Sequence, residues 1–429
     1  MRQNRQRRCV IVASALVMFF NSGLLWAQDS DSVLRNRLVL PELIQEVLAR
    51  NPELVAARMQ WEASTNRIAQ ARSLDDPTVF VDLFNVPNTF NVTQTQNSIF
   101  GLTQSLPFPG KLGLKGEVAS RSAEMSEQAV RAKERELIVR LKQSYYDLFL
   151  AQKAVQIHHE QVELLRQFVA IANAKFRGGM GSQADVLKAQ VELSLLFQHL
   201  PVLEQRRTTA EAMLNTLLDR DSAQPLGVAQ EPAQLPFEES VDNLHRLALN
   251  DRPELKAAEL DVQRSEQSRA LAKRQYYPDF NVSFRRFQNF QANDGFGAYV
   301  AMSIPFAFWT KPKYDAGVQE AEAAVSVAQA QQHTLENITR FQINDLLAKL
   351  RATDQVATLY RTTILPQAEQ SLESARVGYR AGKGGFLDLI DTQRAWRGFQ
   401  LEYFKALVDR QQRLAELEQV VGITLDRQR

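Results

Sequence analysis

Four short stretches of this chain alternate apolar with polar or small residues, and long helical intervals separate them. Phe280, Val282 and Phe284 alternate with Asn281, Ser283 and Arg285. Phe296, Ala298, Val300, Met302, Ile304 and Phe306 alternate with Gly297, Tyr299, Ala301 and Ser303. Phe100, Leu102 and Leu106 alternate with Gly101, Thr103 and Ser105, whereas Val79–Val86 alternates poorly. A period of two predicts strands at about 78–86, 98–107, 278–287 and 296–306. Each is about 10 residues, the length of a tilted membrane-spanning strand. Four strands cannot close a barrel, and open strand edges cannot face hydrocarbon. Strands in lipid therefore require several copies of the chain: two would give eight strands and three twelve, and spacing does not choose between them.

The intervals have a different rhythm. Neither Gly nor Pro occurs between Glu117 and Arg177, nor between Val318 and Leu365. At 1.5 Å per residue the first run predicts a rod of about 90 Å. Leu141, Leu148, Val155, Val162, Val169 and Phe176 fall seven apart, and Ala151, His158, Leu165 and Ala172 follow four of them by three residues. That seam is the signature of a left-handed coiled coil. Gly178-Gly179-Met180-Gly181 and Gly382-Lys383-Gly384-Gly385 then fold each rod into an antiparallel hairpin with the helix that follows.

The order helix, two strands, long helix, turn, helix occurs twice. Asn51-Pro52-Glu53-Leu54 returns as Arg252-Pro253-Glu254-Leu255, and Ser105-Leu106-Pro107-Phe108 as Ser303-Ile304-Pro305-Phe306. Phe176-Arg177-Gly178-Gly179 returns as Tyr379-Arg380-Ala381-Gly382, and Asp185 as Asp388. Ordered matches of this kind define a duplication. The predicted division is a leader at 1–27, a first repeat at 28–220 with its helical hairpin at 112–220, a linker at 221–237 holding three prolines, and a second repeat at 238–429 with its hairpin at 314–427. The predicted fold class is mainly α with membrane β: two long antiparallel helical hairpins, plus four strands that, in lipid, must be contributed to an oligomeric barrel.

Composition narrows the setting. Arg2, Arg5, Arg7 and Arg8 precede the apolar run Val10–Phe20, and Leu25-Trp26-Ala27 ends in a small residue, which reads as a secretory signal. The apolar core is shorter than the roughly 20 residues a spanning helix needs. The sole cysteine, Cys9, precedes that run, so no lipid anchor is expected and disulfides are excluded from the mature chain. Removing the four leader arginines turns the net charge of +2 into −2, which gives no footprint for nucleic acid.

These features together resemble the TolC family of outer-membrane efflux channels over about residues 38–427. The resemblance is carried by Leu38-Val39-Leu40-Pro41-Glu42-Leu43 through Asn51-Pro52-Glu53-Leu54 and by Gln104-Ser105-Leu106-Pro107-Phe108-Pro109-Gly110-Lys111. The duplicated turn signature Phe176…Gly179…Asp185 and Tyr379…Gly382…Asp388 adds to these. It implies a homotrimer in the cell outer membrane, with a twelve-stranded barrel in lipid and a helical tube through the periplasm. It further implies docking of the tube tip on a periplasmic adaptor (a membrane fusion protein) that links to an inner-membrane pump of the RND type. Residues 177–185 and 380–383 then become the periplasmic docking tip, represented by Arg177, Gly178, Gly179, Asp185, Arg380, Gly382 and Lys383. Asp388 and Asp391 lie one turn apart on one helix face and match the acidic pore gate of the family, where stacked carboxylate rings attract cations. The first repeat has Lys188 at the position of Asp391, which keeps the ring to one helix per copy. Some relatives carry a basic residue where this chain has Gly384, and here the neighbouring cation is Lys383. Lipid-facing positions are expected at Phe100, Leu102, Phe280, Val282, Phe284, Val300, Met302 and Ile304, with extracellular loops at about Pro87–Asn97 and Gln288–Gly295.

Other chemistry is poorly supported. His158-His159-Glu160 offers metal-ligating types, but consecutive helical residues diverge and His158 sits on the seam. Gly179-Met180-Gly181 follows a helix where a dinucleotide fingerprint needs a strand. No nucleophile motif, phosphate-cradling loop or cofactor site is visible, so no enzyme activity and no cofactor are expected. The alternative is a secreted coiled-coil scaffold without a pore, which leaves the barrel-length strands unexplained. The Pro107-Phe108-Pro109-Gly110-Lys111 segment is similar to that of channels serving heavy-metal pumps, which favours metal cations over drugs as cargo.

Overall fold

The structure, a computed structural model, describes residues 37–84, 86, 97–233, 237–289, 293–305 and 307–425. The leader with Cys9, Phe306, nearly all of the first expected extracellular loop (87–96) and residues 290–292 of the second lie outside the described residues.

Helices α1 (Leu40–Arg50) and α2 (Pro52–Arg72) lead to strands β2 (Thr78–Phe84) and β3 (Asn97–Leu106), and then to α3 (Lys111–Arg177) and α4 (Gln183–Leu217). The second half repeats this order with α5 (Val241–Asp251), α6 (Pro253–Arg274), β5 (Phe280–Asn289), β6 (Gly295–Met302) and α7 (Lys311–Leu359). A π-turn (Tyr360–Ile364), α8 (Leu365–Arg380) and α9 (Phe386–Val421) complete it. Two-residue strands β1 (Arg37–Leu38) and β4 (Val228–Ala229) pair in parallel. Pro52 and Pro253 each open a helix, where a missing N–H costs nothing. Among the described residues no helix is long and apolar enough to cross a membrane.

Two compact units emerge, and each draws on both halves of the sequence. One comprises residues 55–133 and 247–340. It holds an antiparallel sheet in the order β2-β3-β5-β6. Its strands begin and end where the ladder loses donors. Pro278 has no N–H, and Asp279 donates its own to Ser303 Oγ at 2.8 Å, so β5 starts at Phe280 rather than 278. Ser303 N–H turns back to the Asp279 carbonyl at 2.9 Å and Pro305 cannot donate, so β6 stops at Met302. Ile304, expected on the strand, therefore lies beyond it, though exposed. Asn97, Gln288, Asn289 and Gly295, expected in loops, belong to strands.

The other unit comprises residues up to 54, 134–246 and 341 onward. Its core joins Leu38, Leu43 and Val47 to Leu141, Tyr145, Leu148, Leu214 and Val408. A second cluster packs Leu165, Phe168 and Ala172 against Val186, Leu372, Tyr379, Phe386 and Leu389. The heptad seam is buried from Leu141 to Val162, and its last member, Phe176, is exposed where the helix ends. Lys142 and Glu418 form a buried ion pair, and Arg220 grips Glu46 at 2.8 and 2.5 Å. The helix from Lys311 continues past Pro366 because the π-turn precedes it, absorbing the place where the ring and missing N–H disrupt α geometry.

Candidate functional site

Both long hairpins turn through the same hydrogen bonds. In the first, Gly179 N–H donates to Phe176 O at 3.0 Å and Met180 N–H to Lys175 O at 2.9 Å. In the second, Gly382 N–H donates to Tyr379 O at 3.2 Å and Lys383 N–H to Gly378 O at 2.9 Å. These pairs make a Schellman cap, which needs a left-handed residue after the helix; Gly179 has φ +71° and Gly382 +74°. Arg177 and Arg380 sit exposed in the last turns, where a cation suits the helix dipole.

The turns meet. Lys175 Nζ donates to the Tyr379 carbonyl and lies 4.5 Å from the centre of its ring. Tyr379 packs on Phe386 (ring centres 5.3 Å apart), and its buried hydroxyl has no hydrogen-bond partner among the described residues. Burial, then the nearby Asp185 carboxylate, raise the Tyr379 pKa. Ser182 caps α4 by accepting from Asp185 N–H at 3.1 Å, as Ser does at a helix N-terminus. The second hairpin has Gly385 at the equivalent place and no side-chain cap.

Asp388 and Asp391 are both exposed on α9. Asp391 Oδ1 stands 3.6 Å from Arg394 Nη1. Arg394 itself pairs with Glu192 of α4, its Nε 3.2 Å from Oε2. Nearby, Gln393 of α9 donates to Gln161 of α3 at 2.7 Å, and His158 of α3 is buried with its Nε2 unpartnered among the described residues. Burial first, then Arg397 and His159, lower the His158 pKa against a bond to the Leu196 backbone. Among the described residues no cluster of three metal-ligating side chains occurs.

In the sheet, register puts the expected lipid-facing strand residues on one face. Leu102 lies opposite Val79 and Phe284, Phe100 opposite Val81, Val282 opposite Val300, and Phe280 opposite Met302. β2, poorly alternating in sequence, adds Val79, Val81 and Leu83 to that face because its other side, with Phe80 and Phe84, is also apolar. On the reverse face Thr103 and Ser283 hydroxyls meet at 2.7 Å, and the Arg285 guanidinium lies 5.6 Å from the Phe80 ring and 4.3 Å from that of Tyr299. Phe80 folds flat over Gly101, where a Cβ would stand 2.1 Å from its ring. β2 and β6 each leave one edge unpaired.

Residues 43–220 and 244–423 match the outer membrane efflux protein family. The chain belongs to that family. It is thus an outer-membrane efflux channel component, of a family of passive channels. The scaffold alternative gives way to this assignment. Similar proteins include the cobalt-zinc-cadmium resistance protein CzcC of Cupriavidus metallidurans, 25% identical over 399 residues and 90% of each chain. The nickel and cobalt resistance protein CnrC of the same organism is 25% identical over 332 residues, 74% of this chain and 73% of CnrC. Among solved structures, CusC aligns with TM-score 0.76 at 17% identity over 90% of this chain and 92% of its own. VceC from Vibrio cholerae aligns with TM-score 0.75 at 17% identity over 90% and 97%.

Three residues of this outer-membrane efflux protein's helical turns escape sequence reasoning: Lys175, Glu192 and Arg394. Arg394 stands at i+3 from Asp391, a spacing visible in the sequence, but its bond to Glu192 spans 202 residues.

Proposed function

We propose that this chain is the exit duct of a tripartite efflux system for divalent heavy-metal cations. It works as a homotrimer, coupled through a periplasmic adaptor to an inner-membrane pump of the RND type. The observation that carries the oligomer is the sheet with two open edges: in hydrocarbon each unpaired backbone group costs several kcal/mol, and strands from sister chains satisfy them. Three copies give twelve strands, within the range of outer-membrane barrels. Phe100, Leu102, Phe280, Val282, Phe284, Val300 and Met302 then face lipid, and the Thr103, Ser283 and Arg285 side lines the lumen. Exposed Leu187, Val191 and Leu195 on α4 add an apolar stripe suited to a neighbouring copy.

The turns at Arg177, Gly178, Gly179 and Asp185 and at Arg380, Gly382 and Lys383 form the docking tip, and Asp388 with Asp391 the acidic gate. The cobalt, zinc, cadmium and nickel resistance named for CzcC and CnrC supports metal cargo. The test is cell-associated cobalt, zinc, cadmium and nickel in a host with and without the chain. A rise on deletion, reversed by re-expression, is the expected result; unchanged accumulation of all four would overturn the cargo. Light scattering of the detergent-purified protein reads the oligomer, and a monomer would overturn the trimer.

A further inference from the structure

The two carboxylates of the gate are not equivalent. Asp388 carries no ion pair or side-chain hydrogen bond among the described residues; its main-chain carbonyl accepts from Thr392. Asp391 shares a guanidinium with Glu192. Arg394 meets Glu192 through both Nη2 and Nε, and Glu192 is the more enclosed partner, its side chain 18% exposed against 60% for Asp391. Two parallel N–H···O bonds fix a guanidinium better than one contact at 3.6 Å. Glu192 therefore holds Arg394 partly away from Asp391, and the first hairpin regulates how much negative charge the second exposes.

Resting on the assignment of Asp388 and Asp391 to the gate, we infer that the Glu192–Arg394 pair sets the gate's affinity for multivalent cations, Arg394 being its specificity-determining residue. Removing the charge of Arg394 leaves Asp391 without its cation and Glu192 with only Arg397 nearby, and makes the ring more attractive to a hydrated cation. Removing the charge of Glu192 frees Arg394 to neutralise Asp391 and makes the ring less attractive. A contact that merely held the helices together would respond alike to both losses, because both break the same bond.

The experiment is single-channel recording of the full-length mature protein in planar bilayers. Hexaamminecobalt(III), which exchanges no ligands and so reports charge alone, is added from the helical-tip side. Arg394→Gln is expected to lower the half-blocking concentration by about threefold to tenfold, and Glu192→Gln to raise it by a similar factor, the scale of one unit charge a few ångströms away in a wet site. Arg394→Lys, which keeps the charge, is expected to stay within about twofold of the parent. Shifts of the same sign in the two Gln variants, or no shift in either, overturn the inference while the gate stands, provided Asp388→Asn with Asp391→Asn abolishes block. If that double variant leaves block unchanged, the gate assignment itself falls and the inference with it.

Discussion

The turn after Arg177 and the turn after Arg380 share their hydrogen bonds and differ in almost everything that surrounds them. Each closes a helix with a left-handed glycine and a pair of backwards bonds. The first follows α3, an unbroken helix of 67 residues, and opens α4 with a serine cap. The second follows a helix interrupted by a π-turn and Pro366, opens α9 on an uncapped glycine, and carries Asp388 and Asp391 where the first carries Asp185 and Lys188. Duplication preserved the backbone device and released the side chains. One hairpin has an unbroken first helix and a capped second one, while the other combines an uncapped start, a π-turn in its helix and the charges assigned to the gate.

The contrast breaks most severely where the hairpins are tied together. Lys142 of α3 and Glu418 of α9 are both buried. Lys142→Met strands a carboxylate away from its ammonium and is expected to cost about 3–5 kcal/mol, seen as a large fall in the Tm of the detergent-purified protein. Next come the shared glycines. Gly179→Ala and Gly382→Ala each force an L side chain to positive φ, at about 1–2 kcal/mol apiece; equal Tm losses mark the common backbone device. Unequal losses would show that one turn tolerates relaxation. Smaller still is the cap. Ser182→Ala should cost about 1 kcal/mol, while Gly385→Ser should recover only a few tenths, since its Cβ would come within 3.1 Å of Asp388 Oδ2. Thermal shifts of the two variants read that asymmetry.

The mildest test uses pH. His158 has a folded pKa below its unfolded value, so the folded protein binds fewer protons there. Its contribution to stability is complete above the unfolded pKa of about 6.5 and is lost as pH falls below it towards the folded value. Tm should therefore drop more steeply below about pH 6.5 in the parent than in His158→Gln. Identical slopes would remove His158 from the account.

How far the sequence speaks depends on the range of each signal. Alternation at Phe280–Phe284 and the Gly- and Pro-free run from Glu117 are local, and the sheet and long helices follow from them. The end of β6 is less local. Ile304 continues the alternation, yet Ser303 N–H has already turned to the Asp279 carbonyl and its Oγ accepts from Asp279 N–H, 24 residues away. Lys175 and Arg394 carry no distinguishing pattern, because their meaning lies in partners 204 and 202 residues distant. Only the turn glycines of the candidate site announce themselves, since positive φ is a demand on one residue. Pro366 is a helix breaker that the π-turn before it accommodates, so the second rod still runs on to the turn at Gly382.

One further arrangement bears on how the channel comes together. Lys111 is buried and donates to Asp279 Oδ1 at 2.8 Å and to the Tyr277 carbonyl at 2.9 Å, while Phe108 N–H reaches the same carboxylate oxygen at 2.8 Å. With Ser303 bonded to the Asp279 backbone, the departing ends of β3 and β6 and the start of β5 are gathered at one aspartate. The offset between the two β-hairpins is thus fixed within a single chain, without help from a second copy. In the proposed trimer that leaves one seam per neighbour to align, between β6 and the next β2, so a slip could arise at three joints rather than throughout the wall.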